Sequence, residues 1–593
     1  MQNTWNQMLS DYGMEWKVIA SLGCLLAAAF FGLKFNKKRF FFARVEQERK
    51  RREASLRLME EKLKKFKKRV SQVDSARILS LTLSELAEEL RGEKVSLESV
   101  LYAYVEKALE ADRDFNCVTV FLTDCEAQIE EIKNLKIKGP LYGVPVSIKE
   151  HIGYKGHPST CGLVQYLDEI EKEDSAIVKV LKKQGAVVFA KTNIPQAVFC
   201  YETSNPIYGL TCNPRNKCKG ASGSSGGEGA LIAGGGSILG FGTDMGGSIR
   251  LPASFCGITG FKPTPNRLSI RDIRPCIEGM LSVPLCVGPM AKDVDSLVLC
   301  MKALLCDEMF RVDPTVPPLP FNDQVYSTSR PLRIGYFETD GYTLPNPGMR
   351  RALLETKKLL EEAGHRFVPF NPPGVDHAMH ELFVNGCLGD GGETLYEKIA
   401  QNICDPNLEG LKQATGCSRL FKKIKSFLLW PFYPRIAKFI YASQGASSVK
   451  DHWRHHTALQ DYQAEFIAEW RKTHLDVLLC PMVGPAYNIG YAGKLIVALS
   501  STILYNVLHF PAGVVTVTSV TQEDEDKLKD YKGHFNDPID QLFKEAVQDG
   551  VGLPLAVQCV ALPHQDELCL RLMKEIYREK CPPPYLPIGA GRG

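Results

Sequence analysis

The sequence predicts an α/β fold with an N-terminal membrane helix, and three observations carry the prediction. From Ser175 to Gln196 a helical stretch meets a glycine stop and then a short apolar strand, Ala186 to Ala190. A second unit repeats the pattern: strand Pro331 to Tyr336, helix Arg350 to Glu362, a stop at Gly364 and the strand HRFVPF. Three more apolar runs, LDVLLCPMV, FPAGVVTVTSV and GLPLAVQCVAL, read as further strands of one sheet. Helices alternating with short apolar strands mark a layered α/β domain whose sites gather at strand ends. With 593 residues, 44% of them hydrophobic, the chain can bury a large core.

Residues Val18 to Leu33, sixteen in all, hold no charge. Such a helix is roughly 24 Å long against a hydrocarbon core of roughly 30 Å. Trp16 and Phe35 can sit at the two interfaces and extend the span. Positive charge follows the run in KFNKKRFFFAR, whereas a signal peptide places it before. The charge bias therefore puts everything after the helix on the cytoplasmic side. An apolar helix packed on the body is the other reading of this run. Residues 1–35 are expected to form the anchor region, 36–75 a basic juxtamembrane helix and 76–593 the main domain.

Lys34 to Arg69 carry sixteen Lys and Arg against five Glu, so the chain's net +4 splits into +11 on this arm and −7 elsewhere. A mildly acidic body argues against nucleic acid as a partner. From Arg44 to Val73 the arm reads as one helix, with Leu56, Met59, Leu63 and Phe66 at helical spacing. It either lays a basic face on anionic lipid or links anchor to body through solvent. LTLSELAEEL and VSLESVLYAYVEKAL follow as amphipathic helices, each with Ser at a plausible N-cap.

In GPLYGVPVSIKEHI, Val144, Val146 and Ile148 alternate like a strand that ends at Lys149. Further on, PTVPPLP (Pro314 to Pro320) reads as a polyproline stretch, either a rigid surface connection or an SH3-type ligand. Leu420 to Tyr441 is dense in Phe, Leu, Trp and Ile, interrupted by Pro431 and Pro434 and studded with Lys and Arg. It is too short and too charged to span a bilayer. It suits a helix pair lying in the interface, with Phe427, Trp430 and Phe432 in lipid and Lys422, Lys423, Lys425 and Lys438 at headgroup level. A helical hairpin packed on the core is the competing reading.

The nineteen cysteines form no C-x-x-C pair and no disulfide-like cadence, as expected of reduced thiols. The twelve histidines include no H-E-x-x-H, so metal catalysis is not indicated. The densest feature lies elsewhere. Twelve of the 49 glycines fall between Gly220 and Gly247, around Ser224, Ser225 and Ser248. A flexible linker would be polar, but this stretch carries Ala, Leu, Ile and Phe. A phosphate loop would continue into Gly-Lys-Ser/Thr, and this one does not. A catalytic or ligand-cradling loop fits better. No histidine is placed to activate a serine, and a serine hydroxyl needs a base within reach. Lysine serves only when neutral, a form that burial favours. Lys149, ending an apolar strand, has that setting.

Lys149, Ser224 and Ser248, in the pattern K-x(74)-S-x(23)-S with GSSGGEGALIA and GTDMGGSIRLPASFCGITGFKPT, resemble the amidase signature family over roughly residues 75 to 585. The resemblance implies a large twisted mixed β-sheet surrounded by many helices. It implies a Ser-Ser-Lys triad in which Ser248 is the nucleophile and Lys149 the base, acting through Ser224. A cis Gly223–Ser224 peptide is implied too, as is an oxyanion turn at Met245, Gly246, Gly247 and Ser248. Ser225, Asp244 and Arg250 would support the site. Val198, Phe199, Tyr201, Tyr342 and Phe439 match acyl-channel positions, whereas Leu388 and Ile539 replace larger aromatic residues. Ser222 departs from the Gly often found before GSSGG.

Within the family the likeness is to the membrane-bound branch, which hydrolyses long-chain fatty acid amides such as N-acylethanolamines and oleamide. That implies a homodimer on endoplasmic reticulum or Golgi membranes, with Leu420 to Tyr441 as a membrane cap and no metal or organic cofactor. A glutaminase-type amidase feeding ammonia to a partner is the rival enzyme. A lipid carrier with a dead site is the rival without chemistry.

Overall fold

The computed structural model describes residues 2–70 and 73–580, without the side chains of 2–17, 27, 28, 30–36, 579 and 580. One eleven-stranded sheet organises the body. Its first members are β1 (Val118–Phe121), β2 (Pro145–Lys149) and β3 (Val187–Thr192). Two hairpins follow, β4 (Ser204–Asn205) with β5 (Gly209–Leu210) and β6 (Cys212–Asn213) with β7 (Asn216–Gly220). The sheet resumes with β8 (Leu239–Asp244), β9 (Thr259–Lys262), β10 (Cys286–Ala291), β11 (Arg333–Tyr336) and β12 (Arg366–Pro369). The three late runs form β13 (Val477–Pro481), β14 (Ala512–Ser519) and β15 (Pro554–Val560).

The spatial order is β1-β3-β2-β8-β10-β9-β14-β15-β13-β11-β12. β2 runs parallel to β3 and β8, and β11 parallel to β12 and β13, while the pairs from β8 to β13 across the centre are antiparallel. Helices cover both faces, so β2 is buried at every position rather than on alternate ones. Lys149 is buried for that reason. In the second unit, helix Pro347–Glu362 leads from β11 to β12, the strand-helix-strand order the sequence predicts, and the two strands pair in parallel.

Helix α1, Gln2–Arg69, passes residue 35 without a break, having no internal proline. Among the described residues, no helix is long and apolar enough to cross a membrane. Val18, Ile19, Leu22, Leu25 and Leu26 are nevertheless exposed. Trp16 and Phe35 lie outside the described side chains. The C-terminal half of α1 is neither a free link nor a lipid-facing helix throughout, because Val45, Met59 and Phe66 are buried against the body. Arg52 pairs with buried Asp112 at 2.9 Å, and Arg49 Nε donates to the Ile207 carbonyl at 2.9 Å. Packing and charge pairing thus claim a helix that composition alone assigned to solvent or lipid.

Helix Leu83–Arg91 is capped by Thr82 in a reciprocal box with Glu85, not by the expected Ser84; helix Leu97–Phe115 is capped by Ser96. Pro314 to Pro320 runs as a connection without regular structure, held by Arg267 donating to the Leu319 carbonyl. The cysteines among the described residues are free thiols.

Candidate active site

The site is assembled by three neighbouring pieces of backbone. Parallel pairing of Ile148 with Phe241 sets the C-terminal end of β2 beside that of β8, so the Lys149 amine reaches Thr243. The Gly-rich loop, whose Gly223–Ser224 peptide is cis, brings Ser224 over the lysine before helix Gly226–Ala233 begins. Beyond β8, the turn through Gly246 and Gly247 carries Ser248 into helix Arg250–Cys256.

Lys149 Nζ lies 2.7 Å from Ser224 Oγ, 2.8 Å from Thr243 Oγ1 and 3.5 Å from the Thr243 carbonyl. None of these partners is a carboxylate. Burial pushes the lysine down to about 7, only partly opposed by the charge of Asp244 and by Cys161 and Glu228. Ser224 is buried, whereas Ser248 is partly exposed to the cavity. Ser225 is a bonding neighbour: its amide donates to the Ser248 carbonyl at 3.1 Å, and its hydroxyl lies 3.3 Å from the Thr243 amide and carbonyl. Buried Glu228 accepts from Ser147 at 2.6 Å and Thr192 at 2.8 Å, and burial pushes its carboxyl up to about 8.

Asp244 and Arg250 hold the turn from behind. Asp244 Oδ1 accepts the Gly247 amide at 2.8 Å, and Oδ2 accepts the Ile249 amide at 3.1 Å. Burial would raise this carboxyl, but the charge and hydrogen bonds of Arg250, with Lys262 and Asn506, hold it well below the usual carboxylate range. Arg250 also donates to Gln558 at 2.7 Å, the Thr502 carbonyl at 2.9 Å and Asn506 at 2.6 Å. The Gly246 carbonyl accepts from Tyr201 at 3.0 Å and Thr502 at 2.9 Å. A side chain cannot fit in this turn. A Cβ at Gly246 would lie 2.6 Å from the Tyr201 hydroxyl, and Gly247 has φ +117° with Thr502 Oγ1 2.6 Å from its Cβ position.

The expected four-amide turn is therefore divided. Met245, Gly246 and Ser248 line the cavity, while the Gly247 amide is already given to Asp244.

Ser224 and Ser248 open on a cavity of about 230 Å³ whose apolar wall includes Val198, Phe199, Tyr201 and Phe383. Phe199 and Tyr201 are shared with a second cavity of about 600 Å³, lined also by Phe439, Ile539 and Lys425. Leu388 joins Phe199 and Phe439 in a small cleft between them. Tyr342 lines neither cavity: its hydroxyl meets His380 Nε2 at 2.8 Å and its ring packs edge-on against Phe535. It is a core residue here.

The Leu420–Tyr441 stretch forms helices Arg419–Leu429 and Pro434–Ala442 above the second cavity. Phe427 (78%), Trp430 (53%) and Phe432 (70%) are exposed as expected. Lys422 departs from expectation, being buried and donating to the Gly391 and Ser443 carbonyls at 2.6 and 3.0 Å. Lys438 pairs with Asp376 at 2.6 Å. Both lysines hold the hairpin rather than meet headgroups.

Sequence reasoning missed His151, Thr243, Thr502, Asn506 and Gln558. The last three come from segments more than 250 positions from Arg250 and carry no local signal. His151 and Thr243 flank predicted site residues closely, and their nearness was the available clue.

This arrangement, a buried lysine joined to serines on Gly-rich turns over a mixed sheet, defines a class. The chain belongs to the amidase family, whose profile matches residues 99–570. It is similar to fatty-acid amide hydrolase 1 of Sus scrofa, 47% identical over 95% of this chain and 96% of that one. It is 36% identical to fatty acid amide hydrolase 1 of Caenorhabditis elegans over 93% of this chain and 97% of the relative. A solved fatty acid amide hydrolase structure superposes with TM-score 0.76 at 25% identity, covering 91% of this chain and 95% of that one.

Proposed function

We propose that this chain is a serine hydrolase that splits long-chain fatty acid amides, such as N-acylethanolamines and oleamide, into fatty acid and amine or ammonia. The observation that carries the reading is the 2.7 Å contact between fully buried Lys149 and Ser224 beside an apolar cavity that Ser248 also lines. Lys149, which burial brings down to about 7 so that a large share of it is neutral there, takes a proton from Ser224, which takes one from Ser248 as that hydroxyl attacks the amide carbon. The same path returns a proton to the departing nitrogen, which otherwise would leave as a poor amide anion, and water then cleaves the acyl ester left on Ser248 to give the fatty acid and restore the hydroxyl. Backbone amides of Met245, Gly246 and Ser248 are the donors this reading assigns to the oxyanion. The acyl chain takes the apolar wall of Val198, Phe199 and Tyr201 and extends toward Phe439.

A bilayer supplies the substrate in this reading. Exposed Phe427, Trp430 and Phe432 above the second cavity and exposed apolar residues from Val18 to Leu26 support attachment at two points. The first acts as the cap and the second as the anchor, with the body in the cytoplasm. The endoplasmic-reticulum or Golgi address and the homodimer rest on family resemblance.

The deciding experiment measures ammonia or amine release from oleamide and anandamide by detergent-purified wild type, Ser248→Ala and Lys149→Ala. Release abolished in Ser248→Ala is expected. Glutamine hydrolysis without lipid turnover would favour an ammonia-supplying amidase, and turnover surviving Ser248→Ala would sink the mechanism.

A further inference from the structure

His151 is buried two residues beyond Lys149 and lines the same cavity as Ser224, Thr243 and Ser248. Its ring has two partners that decide its tautomer. Nδ1 lies 2.7 Å from the Arg274 carbonyl, which can only accept, so Nδ1 carries a proton. Burial, the largest influence, holds the ring well below the usual histidine range against the opposing Arg274 carbonyl bond, helped by Lys191 and, whenever its amine is protonated, by Lys149. The ring is neutral, and Nε2 offers a lone pair to Thr243 Oγ1 at 2.9 Å. Thr243 therefore spends its only proton on His151 and presents lone pairs alone to Lys149 Nζ, 2.8 Å away.

A neutral amine has two N–H bonds and one lone pair. The Thr243 hydroxyl and the Thr243 carbonyl (3.5 Å) both face Nζ as acceptors. Ser224, at 2.7 Å, is the partner left for the lone pair. We infer that His151 is a positioning residue for Lys149: by taking the Thr243 proton it stops that hydroxyl from donating to the amine, and so keeps the Nζ lone pair on Ser224. The inference rests on Lys149 being the base in the proposed reaction.

The test is a double-mutant cycle on the full-length, detergent-purified chain hydrolysing oleamide, with kcat and KM measured across pH 5–10. His151→Leu is expected to lower kcat about tenfold, the worth of one positioning hydrogen bond, with KM little changed. Thr243→Val removes the hydroxyl that His151 restrains, so the double variant is expected to be no slower than Thr243→Val alone. In His151→Leu the freed Thr243 hydroxyl donates to the neutral amine, so the acidic limb of the profile is expected to move to lower pH. His151→Gln, whose amide oxygen reaches the Nε2 position, recovers most of the loss, and His151→Asn does not.

An equal loss with and without the Thr243 hydroxyl, or an unchanged kcat in His151→Leu, would overturn the inference. Should His151→Leu not fold, equal rates for the Gln and Asn variants overturn it as well. Ser248→Ala run alongside separates the two levels. Turnover surviving there removes the hydrolase reading and this inference with it, whereas an inactive Ser248→Ala with a multiplicative cycle removes this inference alone.

Discussion

Asp244 and Arg250 face each other as a fully buried two-pronged pair, with Nε 3.0 Å from Oδ2 and Nη2 3.0 Å from Oδ1. Asp244 also accepts the Gly247 and Ile249 amides and, at 2.9 Å, the Asn506 side-chain amide, so the pair is the mould of the turn that presents Ser248. Arg250→Met would leave that carboxylate buried without its charge partner, at a cost of about 3–5 kcal/mol. Arg250→Lys should also fail, because one ammonium cannot reach Asp244, Gln558, Asn506 and the Thr502 carbonyl together. The expected outcome is a lower urea midpoint and loss of Ser248 labelling by a fluorophosphonate in both variants. A normal labelling rate in Arg250→Lys would count against the mould.

Lys149 sets the pH response. Its value of about 7 means the proton is lost as pH rises through neutrality. Amide turnover should therefore fall about tenfold per unit below that pH and level off above it. Lys149→Ala is expected to lower kcat/KM by about 10²–10⁴ near neutral pH and to erase that limb. A limb that persists in Lys149→Ala would assign the titration to another group.

The exposed hairpin should govern delivery rather than chemistry. Phe427, Trp430 and Phe432 each offer about 1.5–3 kcal/mol of transfer out of water. Replacing all three with Ser is expected to raise KM at least severalfold for a long-chain amide presented in vesicles. Turnover of a short water-soluble amide should be unaffected. Equal effects on both substrates would make the hairpin structural.

Arg52 and Asp112 tie α1 to the body. Burial is the largest influence on Asp112 and raises its carboxyl, while Arg52 and backbone amides hold it down. Arg52→Ala leaves that carboxyl, 5% exposed, without its cation at a cost of about 1–3 kcal/mol. Limited proteolysis should then cut within residues 44–69 faster than in wild type. An unchanged digestion pattern would mean that Val45, Met59 and Phe66 hold the helix unaided.

Some of this was written in local sequence. Helix-then-strand units read correctly because apolar runs bounded by glycine stops depend on a few neighbouring residues, and Lys149, Ser224 and Ser248 stood out by residue type and glycine context. The nature of the N-terminal helix, the partners of Lys422 and the place of Tyr342 did not, because composition records polarity and says nothing of which surface a helix meets. Lys422 looks like a headgroup lysine until the Gly391 and Ser443 carbonyls arrive from elsewhere in the chain.

By itself, then, the sequence determined the α/β class, seven of the eleven strands of the sheet and the three residues on which the chemistry is proposed to turn. Tertiary structure alone decided that β2 lies beside β8, that both its faces are covered and that Thr243 bridges His151 and the Lys149 amine. The physical reason is range. Periodicity and turn chemistry act over a few residues, whereas burial and hydrogen-bond donor–acceptor matching act between residues separated by tens or hundreds of positions.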